Sequence, residues 1–170
     1  MFDNLETGHT EPTDFIKSLQ LESGIELNPD HVIAAWNAML LDFRMQSLAF
    51  IHALKSKLPV YLFSNTNRIH YESFELSFRN STTYSHLNDL FHKAYYSHEI
   101  GFRKPHIDGF LHILKDQNLK PETTLFVDDN EANIKGAQQA GLLTHLLLPE
   151  ESIETVLGFL LEQKEGSRES

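Results

Sequence analysis

Cysteine is absent from the chain. Neither a disulfide framework nor a thiolate metal site can therefore form. Basic residues are scarce: 14 lysines and arginines stand against 24 acidic residues, a formal charge of −10. They make no basic stripe, which argues against a nucleic-acid partner. Long apolar runs are missing too. The longest, from about Gly141 to Leu148, is far too short to cross a bilayer. Met1-Phe2-Asp3-Asn4-Leu5-Glu6 offers neither the basic start nor the apolar stretch of a secretory signal. These absences fit a cytoplasmic protein that handles small molecules, with no membrane association. Several chemical signatures are lacking as well. There is no Walker loop, no G-x-G-x-x-G and no G-x-S-x-G, and the ten histidines show no H-x-x-x-H metal spacing. His70, His92, His98 and His112 read as surface or half-buried side chains.

What is present is an ordinary globular composition, 41% hydrophobic over 170 residues, enough for one domain with a sizeable core. Residues 1–44 read as all-helical, with Thr10 and Asn28 as N-caps and Pro29 at a first helical position. Val32, Ile33, Trp36, Met39 and Leu40 follow helical spacing and give one apolar face, with Trp36 and Met39 reading as core of this section. From Leu48 onward the pattern changes to alternating helix and strand. Strands are expected over Val60 to Phe63, Lys93 to Ser97, Thr124 to Asp128 and Leu142 to Leu147. Helices are expected from Arg68, over His106 to Lys115, over Glu131 to Ala140 and, as one piece, through Ile153, Val156, Leu157, Leu160 and Leu161. Alternation of this kind gives βαβ units and a mostly parallel sheet. The expected division is a helical cap over 1–44, an α/β core over 45–163 and a disordered tail over 164–170.

Three segments carry chemistry. Val60-Tyr61-Leu62-Phe63-Ser64-Asn65-Thr66-Asn67 and Phe126-Val127-Asp128-Asp129-Asn130 are apolar runs that end abruptly in polar residues. Gly101-Phe102-Arg103-Lys104-Pro105 sets a lysine where Pro105 is expected to open a helix. Strand C-termini of a parallel sheet gather on one edge, where ligands bind. Asp128 and Asp129 repel each other and need a cation; Mg²⁺ fits, since it takes one or two carboxylates and binds substrate phosphate. The ordinary alternative is that Asp129 or Asn130 caps the next helix. Asn133, one turn on, is placed to orient Asp129 or a metal-bound water. Ser64, with Asn65 and the backbone N–H groups after it, suits an anion at a helix N-terminus. Turn and capping chemistry is the ordinary alternative there. Lys104 suits a phosphate, and Arg103 is its nearest decoy.

In that order and at those strand ends, hydroxyl, lysine and acid pair resemble the haloacid-dehalogenase superfamily of hydrolases, in particular its sugar-phosphate phosphatase branch. Leu5-Glu6-Thr7-Gly8 resembles the start of that branch's helical cap. The resemblance implies an α/β fold with a Rossmann-like parallel sheet and a small helical cap. It implies an Mg²⁺-dependent phosphatase acting on small phosphorylated metabolites such as sugar phosphates. Ser64 would hydrogen-bond the phosphoryl group and Lys104 would steady nucleophile and phosphate. Asp129 would contact Mg²⁺, with Asp128 acting directly or through water. The acid pair argues against dehalogenation.

One motif departs from the resemblance. The superfamily's first strand lies between those ending here at Ser64 and Asp128, and it ends in D-x-D or D-x-G, whose first aspartate is the nucleophile. Asp3 imitates it, but no strand precedes Asp3 and the residues after it match the cap. The expectation is therefore an N-terminally truncated hydrolase, lacking its central strand and inactive alone. The alternatives are a non-catalytic phosphometabolite-binding or regulatory pseudoenzyme of the same fold, a phospho-receiver domain, and an inert structural fragment.

Overall fold

The computed structural model describes residues 1–162; the expected tail over 164–170 lies outside them. Three helices come first, α1 (Phe2–Glu6), α2 (Pro12–Ser23) and α3 (Pro29–Asn37). Asn28 caps α3, its side chain accepting from Asp30 N and His31 N, and Pro29 follows at the first position. Thr10 is not the cap of α2. Pro12, with its preset φ, starts that helix one residue further on, so Glu11 takes the boundary without a side-chain bond. Leu5, Phe15 and Ile16 are buried together with Ile69, and Trp36 packs on them. Met39 is not part of this core. It lies beyond the C-cap of α3, where helical spacing no longer applies, and is 58% exposed.

The remainder alternates helix and strand: α4 (Met45–Lys55), β1 (Tyr61–Ser64), α5 (Arg68–Ser81), β2 (Lys93–Tyr96), α6 (Ser97–Ile100), α7 (Ile107–Asp116), β3 (Leu125–Asp128), α8 (Glu131–Gln139), β4 (Leu143–Leu146), α9 (Ile153–Leu157) and α10 (Phe159–Glu162). The final helix expected as one piece is divided at Gly158. Pro105 does not open α7. His106 is its N-cap with extended backbone, leaving Pro105 in the preceding turn. Among the described residues no helix is long and apolar enough to cross a membrane.

The chain is an α/β structure with parallel strands, but the strands form two separate pairs. β1 pairs with β2 from Tyr61↔Lys93 to Ser64↔Tyr96, and β3 pairs with β4 from Leu125↔Leu143 to Asp128↔Leu146. Helices hold the pairs together. On one face Phe110 of α7 is buried with Ala137 and Ala140, and both Phe63 of β1 and Phe126 of β3 pack against it. The Phe110 ring stands edge-on to Phe63 at 5.5 Å and to Phe126 at 5.1 Å. On the other face Leu48, Phe78, Leu90 and Phe91 are buried, with Val60 and Leu62 against them.

Gly136 brings α8 close to the turn before α7. A Cβ there would stand 2.1 Å from the Pro105 carbonyl oxygen and 3.1 Å from the Phe110 ring. A backbone atom cannot yield as a flexible side chain does. Gly136→Ala is expected to destabilise the fold by about 3 kcal/mol, the upper part of the usual overpacking cost. Urea unfolding measures it, and a loss under about 0.5 kcal/mol, the scale of an innocuous surface change, would show that the turn is free to shift.

Candidate active site

Ser64 is the last residue of β1, and the loop after it is tied down from below. Ser97, fully buried at the start of α6, accepts a hydrogen bond from Thr66 N and donates one to Thr66 O, both 2.9 Å. Asn67 then caps α5 by accepting from His70 N at 3.1 Å. Asn65 reaches the other way. Its amide donates to Lys104 O and its carbonyl accepts from Lys104 N, each at 2.8 Å. Both ends of the Asn65 side chain are engaged in positioning Lys104, a clamping role in place of the direct anion contact expected of it.

Lys104 is 8% exposed. Its Nζ donates to Asp128 Oδ2 at 2.7 Å. It also stands 5.5 Å from the ring centroids of both Phe63 and Phe126, within cation–π range. Arg103, its neighbour, turns away to the helical section and pairs with Asp3 and with Glu6, the latter at 2.9 Å. Asp3 therefore belongs to a different cavity of about 430 Å³, shared with Thr7, His9, Arg103, His106 and Asp108.

Asp128 closes β3. Its Oδ1 accepts from Asn130 N at 2.9 Å and from Asn133 Nδ2 at 3.0 Å. Asn133 thus orients Asp128, where Asp129 was the expected partner: one helical turn beyond the strand end it faces back toward β3. Asn130 supplies the cap of α8, accepting from Ala132 N and Asn133 N. The capping duty being taken, Asp129 is exposed and its carboxylate enters no hydrogen bond or ion pair among the described residues.

Ser64, Asn65, Lys104, Asp128, Asp129 and Asn133 line one cavity of about 540 Å³, with Leu62, Val127, Leu147 and Ile153 among its walls. The polar set comes from both strand pairs. It offers a hydroxyl, an ammonium and two adjacent carboxylates. Among the described residues no three histidine or acidic side chains are grouped for a metal. A cation here would take Asp129, Asp128 and oxygens that are not side-chain carboxylates, a set that suits Mg²⁺. Ser97 and the clamping role of Asn65 escape sequence reasoning, since both act through backbone atoms far away along the chain.

A profile of haloacid dehalogenase-like hydrolases matches residues 6–141. The chain belongs to this family. The hydrolase is 33% identical over 148 residues to a D-ribitol-5-phosphate phosphatase of Bacteroides thetaiotaomicron, covering 85% of this chain and 69% of that one. It is 25% identical over 156 residues to a sesquiterpene phosphatase of Aspergillus oryzae. Its structure matches that of a HAD-family enzyme of Bacteroides thetaiotaomicron with a TM-score of 0.84 at 31% identity, over 91% of this chain and 79% of that one. That enzyme carries alanine for aspartate at its twelfth residue and holds magnesium and inorganic phosphate. A HAD-like hydrolase of Porphyromonas gingivalis matches with a TM-score of 0.85 at 30% identity, over 96% of this chain and 79% of that one.

The Lys104–Asp128 pair generates a prediction. Lys104→Met leaves Asp128 with two neutral donors and no cation in a nearly buried position. The expected loss in urea unfolding is about 3 kcal/mol, as for a broken buried pair. Lys104→Met with Asp128→Asn should recover most of it. A single variant as stable as the double would show that Asp128 draws its charge balance from solvent.

Proposed function

We propose that the hydrolase carries the phosphate-binding and Mg²⁺-binding groups of a cytoplasmic phosphatase for small phosphorylated metabolites, sugar or polyol phosphates in particular. The observation that carries this reading is the single cavity shared by Ser64, Lys104, Asp128 and Asp129, with Lys104 Nζ 2.7 Å from Asp128. The phosphatase relatives and the magnesium and phosphate held by the matching Bacteroides structure support it.

The residues divide the work by chemistry. Ser64 Oγ donates a hydrogen bond to one phosphoryl oxygen. Lys104, its backbone clamped by Asn65 and its Nζ held by Asp128, offsets the charge that develops on another phosphoryl oxygen in transfer. Asp129, with no other partner among the described residues, would hold Mg²⁺, and Asp128 would do so directly or through water. Mg²⁺ when bound supplies positive charge to the phosphoryl oxygens. The attacking group must approach phosphorus opposite the leaving alcohol. A carboxylate located between the ends of β1 and β3 satisfies that; Asp3, held by Arg103 at the other cavity, does not. The chain by itself therefore binds but does not turn over.

Titration calorimetry with Mg²⁺ and inorganic phosphate tests the binding half. Asp129→Asn should weaken Mg²⁺ by tenfold or more, Asp128→Asn by less, and Lys104→Ala should abolish measurable phosphate binding. Equal Mg²⁺ affinity in wild type and Asp129→Asn would overturn the metal assignment. An assay on p-nitrophenyl phosphate tests the rest. Background rates are expected, and robust turnover surviving Asp3→Ala would mean that another nucleophile operates.

A further inference from the structure

Lys104 and Ser64 carry the groups that suit phosphate, and the segments around both bear on α1. No residue of that helix lines the cavity they share. Leu5 anchors α1, being 1% exposed and packed with Ile69 of α5.

The contact on the lysine side is ionic. Arg103 precedes Lys104, and its guanidinium meets Asp3 and Glu6 of α1. The two carboxylates are not equivalent. The Asp3 side chain is 73% exposed, where an ion pair adds little. Those of Glu6 and Arg103 are 30% and 25% exposed, and Arg103 Nε stands 2.9 Å from Glu6 Oε2. Both atoms are buried, and neither has an aligned hydrogen bond among the described residues. Their attraction is therefore mostly charge on charge. Neutralising Glu6 would leave Arg103 Nε shut from water with no anion beside it, the costly way to break a pair.

The contact on the serine side is steric. Gly8, just past the C-cap of α1, has a φ of 72°. A Cβ there would stand 2.1 Å from the His98 carbonyl oxygen, so glycine lets the turn after α1 rest on the backbone of α6. Beside His98 is Ser97, whose hydroxyl holds Thr66 N and Thr66 O. Between the two segments themselves run the Asn65 bonds to Lys104 N and Lys104 O. Bonds from one amide group fix a spacing and leave a rotation about the link. A third body that touches both sides removes that rotation.

We propose that Arg103 is a positioning residue for the site lysine. Anchored on Glu6, it ties the Lys104 loop to α1 and so holds the Lys104 ammonium in register with Ser64. The tie rests on geometry; that the placed ammonium meets phosphate rests on the reading given above.

Amide exchange followed by NMR on the full chain tests the tie without any ligand. Lys104 N–H donates to Asn65 Oδ1 at 2.8 Å and reports on its loop; Thr66 N–H donates to Ser97 Oγ at 2.9 Å and serves as the control. Glu6→Gln and Arg103→Met should each speed exchange at Lys104 by about tenfold, as a local opening does, with Thr66 and the amides of β1 and β2 changing less than about twofold. The double variant should be no faster than either single one, since both remove the same contact. Asp3→Asn removes an equal charge from the exposed partner and should change Lys104 by less than about threefold. An unchanged Lys104 amide would overturn the positioning role. So would equal acceleration of Thr66 and the strands, which reports lost global stability, or additive effects in the double variant. Asp3→Asn as potent as Glu6→Gln would overturn the anchor. In titration calorimetry Glu6→Gln should weaken inorganic phosphate by about fivefold and Mg²⁺ by less than about twofold. Equal phosphate affinity beside a faster Lys104 amide would overturn the claim that the tie serves the site. Phosphate that fails to bind wild type would sink the phosphatase reading, and the exchange result alone would then decide the tie.

Discussion

Lys104 and Asp128 form the interaction on which the site depends. Their side chains are 10% and 8% exposed, and a charge so placed costs several kcal/mol unless it is compensated. Each compensates the charge of the other. The pair also ends a longer chain of contacts. Asn65, just past β1, grips the backbone of Lys104 on both sides; Lys104 reaches Asp128 at the end of β3; Asp128 is held in turn by Asn133 of α8. This route crosses the groove where, among the described residues, no strand ladder runs. Ser64 on one side and Asp129 on the other take their mutual placement from it.

A second constraint governs how the two strand pairs coexist. Removing a ladder is costly when backbone groups are left buried without partners, at about 1–3 kcal/mol each. The edges of β1 and β3 escape the worst of that because they line an open groove. Their N–H and C=O groups can turn to water. The packing that remains is carried by the helices. Phe110 is 2% exposed and joins both pairs on one face, and α4 packs against α9 on the other. Burial of helix faces, not continuity of the sheet, keeps the molecule together.

Much of this was legible in the sequence because it is local. An apolar run that stops at Ser64 or at Asp128 marks a strand end, and Asn28 followed by Pro29 marks a helix start. The parallel, helix-covered character of the strands followed from their alternation. What escaped depends on single backbone atoms or on distance. Thr10 lost its capping role to the fixed φ of Pro12, and Met39 fell just past the turn that ends α3. Gly158 divided the last helix although the apolar spacing ran through it. Asn65 read as an anion ligand and Asn133 as the residue that orients Asp129 or a metal-bound water, because amides near a strand end can bind many groups. Only the fold shows that one holds the Lys104 backbone and the other holds Asp128. Ser97 carries no signal at all beyond a polar residue after two tyrosines.

Charge then dictates an order of events for the proposed chemistry. The Lys104 ammonium is matched to Asp128, so the charge that faces the cavity unbalanced is that of Asp129. Two like unit charges about 4 Å apart repel by about 4 kcal/mol at the effective dielectric of a protein surface. A phosphate dianion entering beside Asp129 meets more than this. A divalent cation on Asp129 reverses the sign and turns the same carboxylate from an obstacle into an anchor. Cation and phosphate should therefore raise each other's affinity by the same factor, as linkage requires. Asn130 makes this possible. By capping α8 itself, it frees Asp129 from a backbone role that would have used up its oxygens. The exposed carboxylate, unpaired among the described residues, is thus a product of the helix cap beside it, which leaves its oxygens free for the proposed cation.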